Sequence, residues 1–344
     1  MKVLVLTTMV PFVHGGAEEL AQNLVLNLRL HGAEAETMAL PFSWHPAERL
    51  VDEIMIARSL RIVNVDRLIA LKFPAYLAEH PGKTVWLLHQ YRQAYDLLDA
   101  GQSNIPDTPH GREILGAIHR ADAQGLAGVR KLFTNSRTTA ERLDRYNGIA
   151  STVLPPPLND PGLFTGGPSQ GYLLATGRVN AGKRQHLVIE AAALAPSVRL
   201  VVAGPPDTPE DADKLHALVV RHGLQDRVHL DLRFHPRADL ATLVNGAQAV
   251  VYLPFDEDSP GYVTMEAYAA RKPVITVSDS GGVLSLVQDG VTGWVCPPEP
   301  ALLAAALSEA AAGPALCATF GEAGHDAFAA MGLTWPATIA RLLG

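Results

Sequence analysis

Short β-branched runs recur along the whole chain, each separated from the next by a longer amphipathic or irregular stretch. A chain patterned this way buries its apolar faces as a parallel sheet whose crossovers are helices. The first series of runs is KVLVLTT, EAETMAL, RLIALK, KTVWLL, RKLFTNS and ASTVLP. A second series starts at Tyr172 with YLLATG, VRLVVAG, RVHLDL, QAVVYLP, PVITV and TGWVC. Between them lies PPPLNDPGLFTGGPSQ, residues 155–170, whose prolines, glycines and lack of periodicity predict a linker. The expected architecture is α/β, with doubly wound domains over 1–154 and 171–325 and a terminal helix over 326–344 that carries Trp335, Ile339 and Leu342 at helical spacing. Two such domains leave a cleft between their strand carboxyl ends, where folds of this kind bind ligands.

The length of 344 residues suits two domains, and 48 % hydrophobic with 18 % charged residues excludes a disordered or collagen-like chain. A net charge of -7 argues against a general nucleic-acid binder. The acidic excess falls mostly after residue 160, leaving the N-terminal half near neutral. Cys296 and Cys317 have no metal-like spacing, so the chain predicts neither a disulfide framework nor a zinc site and suits a reducing compartment. The opening MKVLVLTTMVPFV has the lysine and apolar run of a signal peptide, but no small-residue cleavage site follows, which favours a buried first strand. The apolar stretch from Ala301 is interrupted by Glu309, Gly313 and Pro314 and reads as helices of a soluble domain.

Three segments carry the residue types that phosphate and sugar chemistry need. After the opening strand, His14-Gly15-Gly16-Ala17-Glu18 leads into a helix whose first N–H groups could face an anion, although the dinucleotide fingerprint is absent. After the first strand of the second series, GRVNAGKR places Arg178 and Lys183 around a glycine-containing loop, where two cations can converge on a diphosphate. It is not a P-loop, because Arg184 follows Lys183. In PFDEDSPGYVTMEAYAARKPVITVSDSGG an acidic loop precedes a helix opening at Pro260, Gly261, Tyr262 and Val263, with Glu266 inside it. Acids near a phosphate-binding helix end suit a sugar nucleotide, whose hydroxyls donate to carboxylates. Asp256-Glu257-Asp258 also has the form of a metal-binding D-x-D, but an acidic loop capping a helix accounts for it, so no metal is expected.

The Gly-Gly turn, GRVNAGKR, the Pro254 to Glu266 loop and helix, and SDSGG with DGVTGW resemble, in that order, the retaining glycosyltransferases of family 4, of GT-B fold. The resemblance implies two Rossmann-like domains facing each other across a cleft, with the C-terminal helix crossing back to the N-terminal one. It implies a hexose transferred from a UDP- or GDP-linked sugar to a hydroxyl acceptor, the nucleotide sugar serving as co-substrate with no obligatory cofactor. Arg178 and Lys183 would hold the diphosphate, Gly15, Gly16 and the Pro260–Val263 turn would line the donor, and Glu266 would take the ribose hydroxyls. The acid that approaches the donor sugar falls on Asp258 by spacing, or on Glu257 if Ser259-Pro260 contains an insertion. His89 matches by position a histidine that contacts the donor, while Arg92 and Tyr95 nearby face either the acceptor or solvent. Ser285 replaces a glutamate common in relatives. The implied mechanism is front-face attack, with closure about residues 155–170. The implied setting is bacterial surface polysaccharide or lipopolysaccharide assembly in the cytoplasm, with a glycan or lipid-linked acceptor and peripheral contact with the inner membrane face. The altered acid and Ser285 keep open a catalytically lapsed sugar-nucleotide-binding partner, and the shared fold keeps open an epimerase.

Overall fold

The computed structural model describes residues 1–13 and 15–344. The strands are β1 (Lys2–Met9), β2 (Glu34–Pro41), β3 (Arg67–Ala70), β4 (Lys83–Leu87), β5 (Lys131–Thr134), β6 (Thr152–Val153), β7 (Leu173–Thr176), β8 (Leu200–Ala203), β9 (Val228–Asp231), β10 (Ala249–Val251), β11 (Val274–Val277) and β12 (Gly293–Cys296). The helices are α1 (Gly16–Leu30), α2 (Arg49–Ser59), α3 (Asp96–Asp99), α4 (Pro109–Leu126), α5 (Arg137–Asn147), α6 (Gln185–Ala193), α7 (Pro209–Arg221), α8 (Arg237–Gly246), α9 (Gly261–Ala269), α10 (Pro300–Ala312), α11 (Pro314–Ala330) and α12 (Trp335–Leu343). Every run read as a strand is one. The first sheet has the order β2-β1-β3-β4-β5-β6 and the second β12-β11-β10-β7-β8-β9, with all pairings parallel.

Burial follows from these orders. β1 is flanked on both sides, and its interior is buried on both faces: Val3 and Val5 enter one apolar layer, Leu4 and Leu6 the other. β2 lies at the edge, and most of its residues are exposed. In the second sheet Leu173 and Ala175 face one layer and Leu174 the opposite one. Continuous apolar strands are what a sheet covered by helices on both faces requires. Helix starts are marked by Thr108-Pro109 and Thr208-Pro209, where each threonine hydroxyl accepts from an N–H in the first turn.

The chain divides into two compact units, Met1–Pro157 with Leu333–Gly344, and Leu158–Gly332. Two expected boundaries move. Residues 155–170 are not a free linker throughout, because Leu158 and Phe164 are buried in the second unit's core and the Lys272 ammonium donates to the Gly167 carbonyl at 2.8 Å. The span 326–344 is not one helix: α11 runs to Ala330, the chain turns at Gly332 with φ +60°, and α12 begins at Trp335. Only α12 joins the first unit, where Ile339 and Leu342 enter the layer formed by Leu20, Leu24 and Leu28. Thr84 donates to the Leu342 carbonyl at 3.3 Å, and the Trp86 and Trp335 rings meet edge to face. Among the described residues no single helix is long and apolar enough to cross a membrane; the segments Pro300–Ala312 and Pro314–Leu343 meet with a bend of 100°.

One buried charge in the first unit departs from the apolar pattern. Asp122, on α4, is fully buried and accepts from the Tyr76 hydroxyl at 2.8 Å and the Tyr95 hydroxyl at 2.7 Å. Tyr95 is therefore buried and does not face solvent. Burial pushes the Asp122 carboxyl up to about 7, with the two hydroxyls opposing. Above the ordinary carboxylate range the unfolded chain loses this proton before the folded one does, so stability falls as pH rises from about 4 to 7. Chemical denaturation of the wild type and Asp122→Asn across that window should show the wild type losing on the order of a few kcal/mol relative to the variant. A pH-independent difference would contradict the assignment.

Candidate functional site

The second sheet reverses its strand order between β10 and β7, and the loops leaving these two strands are GRVNAGKR and the acidic segment. Ligands in open parallel sheets bind beyond the carboxyl ends at such a point. The loop after β7 begins at Gly177, with φ +120°, and the Asn180 side chain caps its short helical turn by accepting from the Lys183 N–H at 2.9 Å. A side chain on Gly204, after β8, would stand 2.1 Å from the Gly177 carbonyl oxygen, so the two backbones meet directly.

Arg184 fastens the two loops. Its Nε donates to the Leu253 carbonyl at 2.7 Å, Nη2 donates to the Pro254 carbonyl at 3.0 Å, and the fork grips both Asp279 oxygens at 2.9 and 2.7 Å. The acidic loop is also stitched to the loop after β11: the Asp256 N–H donates to the Asp279 carbonyl at 2.8 Å and the Gly282 N–H to the Glu257 carbonyl at 2.7 Å. Gly281 has φ +61°, and a Cβ there would lie 2.5 Å from the Glu257 carbonyl oxygen, which explains the glycine in SDSGG. Ser285 donates to the Gly282 carbonyl at 2.7 Å and closes the next turn.

This bracing brings Lys183, Glu257, Tyr252 and Gly261 together. The Lys183 ammonium is ion-paired with Glu257 and donates to the Tyr252 hydroxyl at 3.0 Å. Burial works against its charge, but the Tyr252 hydroxyl and the Glu257 carboxylate more than offset this, and the ammonium pKa lies above its ordinary value. Burial, then the Glu257 charge, push the Tyr252 hydroxyl up to about 12 against the opposing effect of Lys183. Gly261 has φ +75° and lies on the Tyr252 ring, where a Cβ would come within 2.9 Å. α9 thus starts beside the lysine. Val263 approaches Gly177, whose added Cβ would sit 4.0 Å from Val263 Cγ2, and Tyr262 packs on the apolar layer behind.

Arg178 pairs with Asp207, in the loop after β8, at 3.3 Å. Glu266 is buried and ion-paired with Arg237, which also donates to the Asn159 carbonyl at 2.9 Å and stacks 4.7 Å from the centre of Phe164. Asp258 is buried at 7 % exposure, whereas the Glu257 side chain is 26 % exposed. Among the described residues no group of three or more His, Cys, Asp or Glu is placed to hold a metal ion.

In the first unit, His14 lies outside the described residues. The Gly15 N–H donates to Glu18 at 3.0 Å, and Glu18 accepts from Lys72 at 2.9 Å, so an internal carboxylate already occupies the start of α1. Gly15 itself is extended, a conformation open to any residue. His89 Nδ1 donates to the Gln90 carbonyl at 2.7 Å, so Nε2 is the ring nitrogen left to meet a ligand. Arg92 is bound to Asp96 at 2.7 Å. Sequence reasoning missed Tyr252, Arg237, Asp207 and Asp279, partners supplied by loops distant in the chain.

Comparison with known proteins follows the same division. Solved structures with this fold include HepE of Anabaena in complex with UDP and glucose (TM-score 0.73, 19 % identity, covering 99 % of this chain and 98 % of that one). Sucrose-phosphate synthase of Thermosynechococcus elongatus is also similar (TM-score 0.74, 17 % identity, covering 99 % and 97 %). The chain therefore has the GT-B glycosyltransferase fold. Residues 167–327, within the C-terminal unit, match the family described as glycosyl transferases group 1. D-inositol 3-phosphate glycosyltransferase of Mycobacterium leprae is 38 % identical over 129 residues, 37 % of this chain and 29 % of that protein. The M. tuberculosis counterpart is 38 % identical over 119 residues, 34 % and 24 % respectively. The matched stretches thus span under a third of these curated relatives.

Because Arg184 makes four charge-assisted bonds, Arg184→Ala should lower stability by about 2 kcal/mol in urea unfolding. A loss below about 0.5 kcal/mol, the scale of an ordinary surface change, would show that the fork does not brace the loops.

Proposed function

We propose that this protein is a retaining glycosyltransferase that moves a hexose from a nucleoside diphosphate sugar to a hydroxyl acceptor. The observation that carries the reading is the charged Lys183, held by Glu257 and Tyr252 at the start of α9, on the loop that also bears Arg178. Support comes from the group 1 match and from a similar fold solved with UDP and glucose. UDP sugars are accordingly the first donors to try.

In this mechanism the bond between the sugar's anomeric carbon and the diphosphate oxygen breaks, and its electron pair stays on the diphosphate. Arg178, Lys183 and the α9 N–H groups meet the developing charge. The acceptor hydroxyl attacks from the same face and passes its proton to the departing phosphate oxygen, which preserves the anomeric configuration. Glu266, oriented by Arg237, takes the ribose hydroxyls, and His89 Nε2 accepts from the donor sugar. For the acid that meets the sugar, the geometry favours Glu257 over Asp258, because Glu257 is the more open and already touches the phosphate-site lysine. The acceptor is a glycan, a lipid-linked glycan or a small polyol in surface polysaccharide assembly. The inositol phosphate named for the mycobacterial relatives is one to test.

With UDP-glucose as donor, Lys183→Ala should lower kcat at least about a hundredfold, the scale of losing one charge-stabilising donor in a transition state. Near-wild-type turnover would refute the site. Glu257→Gln should cut kcat by more than about tenfold with the donor KM little changed, while Asp258→Asn does less. The reverse order would return the sugar-binding role to Asp258.

A further inference from the structure

The first unit contains a cavity of about 690 Å³ at the amino ends of its strands, opposite the end that bears Gly15 and His89. Its wall is formed by the end of α2 and the following turn, the segment leading into β4, and the end of α4 with the turn into β5. Three arginines, Arg58, Arg61 and Arg130, line it together with Lys83, whose ammonium burial pushes below its ordinary pKa against the opposing charge of Glu79, the single carboxylate in the wall.

None of the three arginines is neutralised. Arg58 donates to the uncharged Gln124 side-chain oxygen at 2.5 Å, and Arg61 and Arg130 make no hydrogen bond or ion pair among the described residues. The Lys83 ammonium donates to the Tyr76 and Gly125 carbonyls, both at 3.1 Å, which leaves its third proton to be accepted. His80 adds no charge: Nδ1 accepts from the Gly82 N–H at 3.0 Å and Nε2 donates to the Val65 carbonyl at 3.1 Å, the pattern of a neutral ring. Like charges gathered in a concave wall repel one another, and a bound anion removes that cost. Between the cations the wall is apolar, with Ile62, Leu77 and Val129, and Val63 is 79 % exposed at its edge.

We propose that this cavity binds a phosphorylated ligand, its phosphoryl group gripped by Arg58, Arg61, Lys83 and Arg130 and its apolar or ring-bearing body resting on Ile62, Leu77 and Val129. The volume suits a ligand of sugar-phosphate to nucleotide size. Two sources carry that chemistry, a phospholipid headgroup and a free phosphorylated metabolite. The site is independent of Lys183 and of the proposed transferase activity.

The test uses the full chain carrying Lys183→Ala, so that the donor loop does not contribute, with and without Arg61→Ser plus Arg130→Ser. Both arginines are exposed and unpartnered, so the fold should survive, and an unchanged melting temperature without ligand checks this. Inorganic pyrophosphate is titrated by thermal shift, and flotation is measured with phosphatidylcholine vesicles with and without phosphatidylglycerol. The expected result is binding to at least one probe that weakens about tenfold or more in the double variant. Pyrophosphate alone would assign a soluble phosphate, and phosphatidylglycerol vesicles alone a lipid headgroup. Absence of binding to both probes, or binding unchanged by the arginine substitutions, would overturn the proposal.

Discussion

The candidate site depends on one side chain that is not part of its chemistry. Arg184 joins the loop after β7 to the strand-end carbonyls of Leu253 and Pro254 and to Asp279 after β11. A guanidinium suits this role because its planar fork presents several donors in fixed directions. With the loops bound at that point, the adjacent Lys183 can reach Tyr252 and Glu257, and Gly261 can start a helix on the Tyr252 ring. An ammonium at position 184 would make fewer of these bonds and leave the loops less tightly registered.

The charges at the site are satisfied within the chain, yet unequally. Glu266 and Arg237 form a buried pair, and such pairs are retained for geometry more than for stability. The Lys183 pair is more open, and Arg178 meets Asp207 with its side chain 34 % exposed. Partly exposed pairs cost little to exchange for a stronger, multiply charged partner. Cations held in place and ionised before the ligand arrives need little reorganisation when charge develops on it, which is the basis of electrostatic preorganisation.

Much of the fold was legible in the sequence because parallel strands buried on both faces leave unbroken apolar runs, as KVLVLTT and YLLATG do. The domain boundary was less legible. Proline and glycine between 155 and 170 signal irregular backbone, but irregular backbone can still be core, and Leu158 and Phe164 anchor it there. The loop positions of Arg178, Lys183 and Glu257 could be read from motif order. Their partners could not, since Tyr252, Asp207, Arg237 and Asp279 become neighbours only through strand order. Spacing alone pointed to Asp258 as the acid; it could not show that Glu257, whose backbone pairs with Gly281, is ion-paired with Lys183. Tyr95 was misplaced because the buried carboxylate of Asp122 on α4 leaves no local signal near it.

The most direct measurement is calorimetric titration of UDP, GDP and free uridine into the wild type and into Lys183→Ala. Saturable binding of one nucleoside diphosphate, weakened about a hundredfold by the substitution while free uridine binds both proteins alike, is the result expected of a loop whose lysine holds the diphosphate. Equal nucleoside diphosphate affinity in the two proteins, or no binding by a wild type that melts cooperatively, would contradict the account.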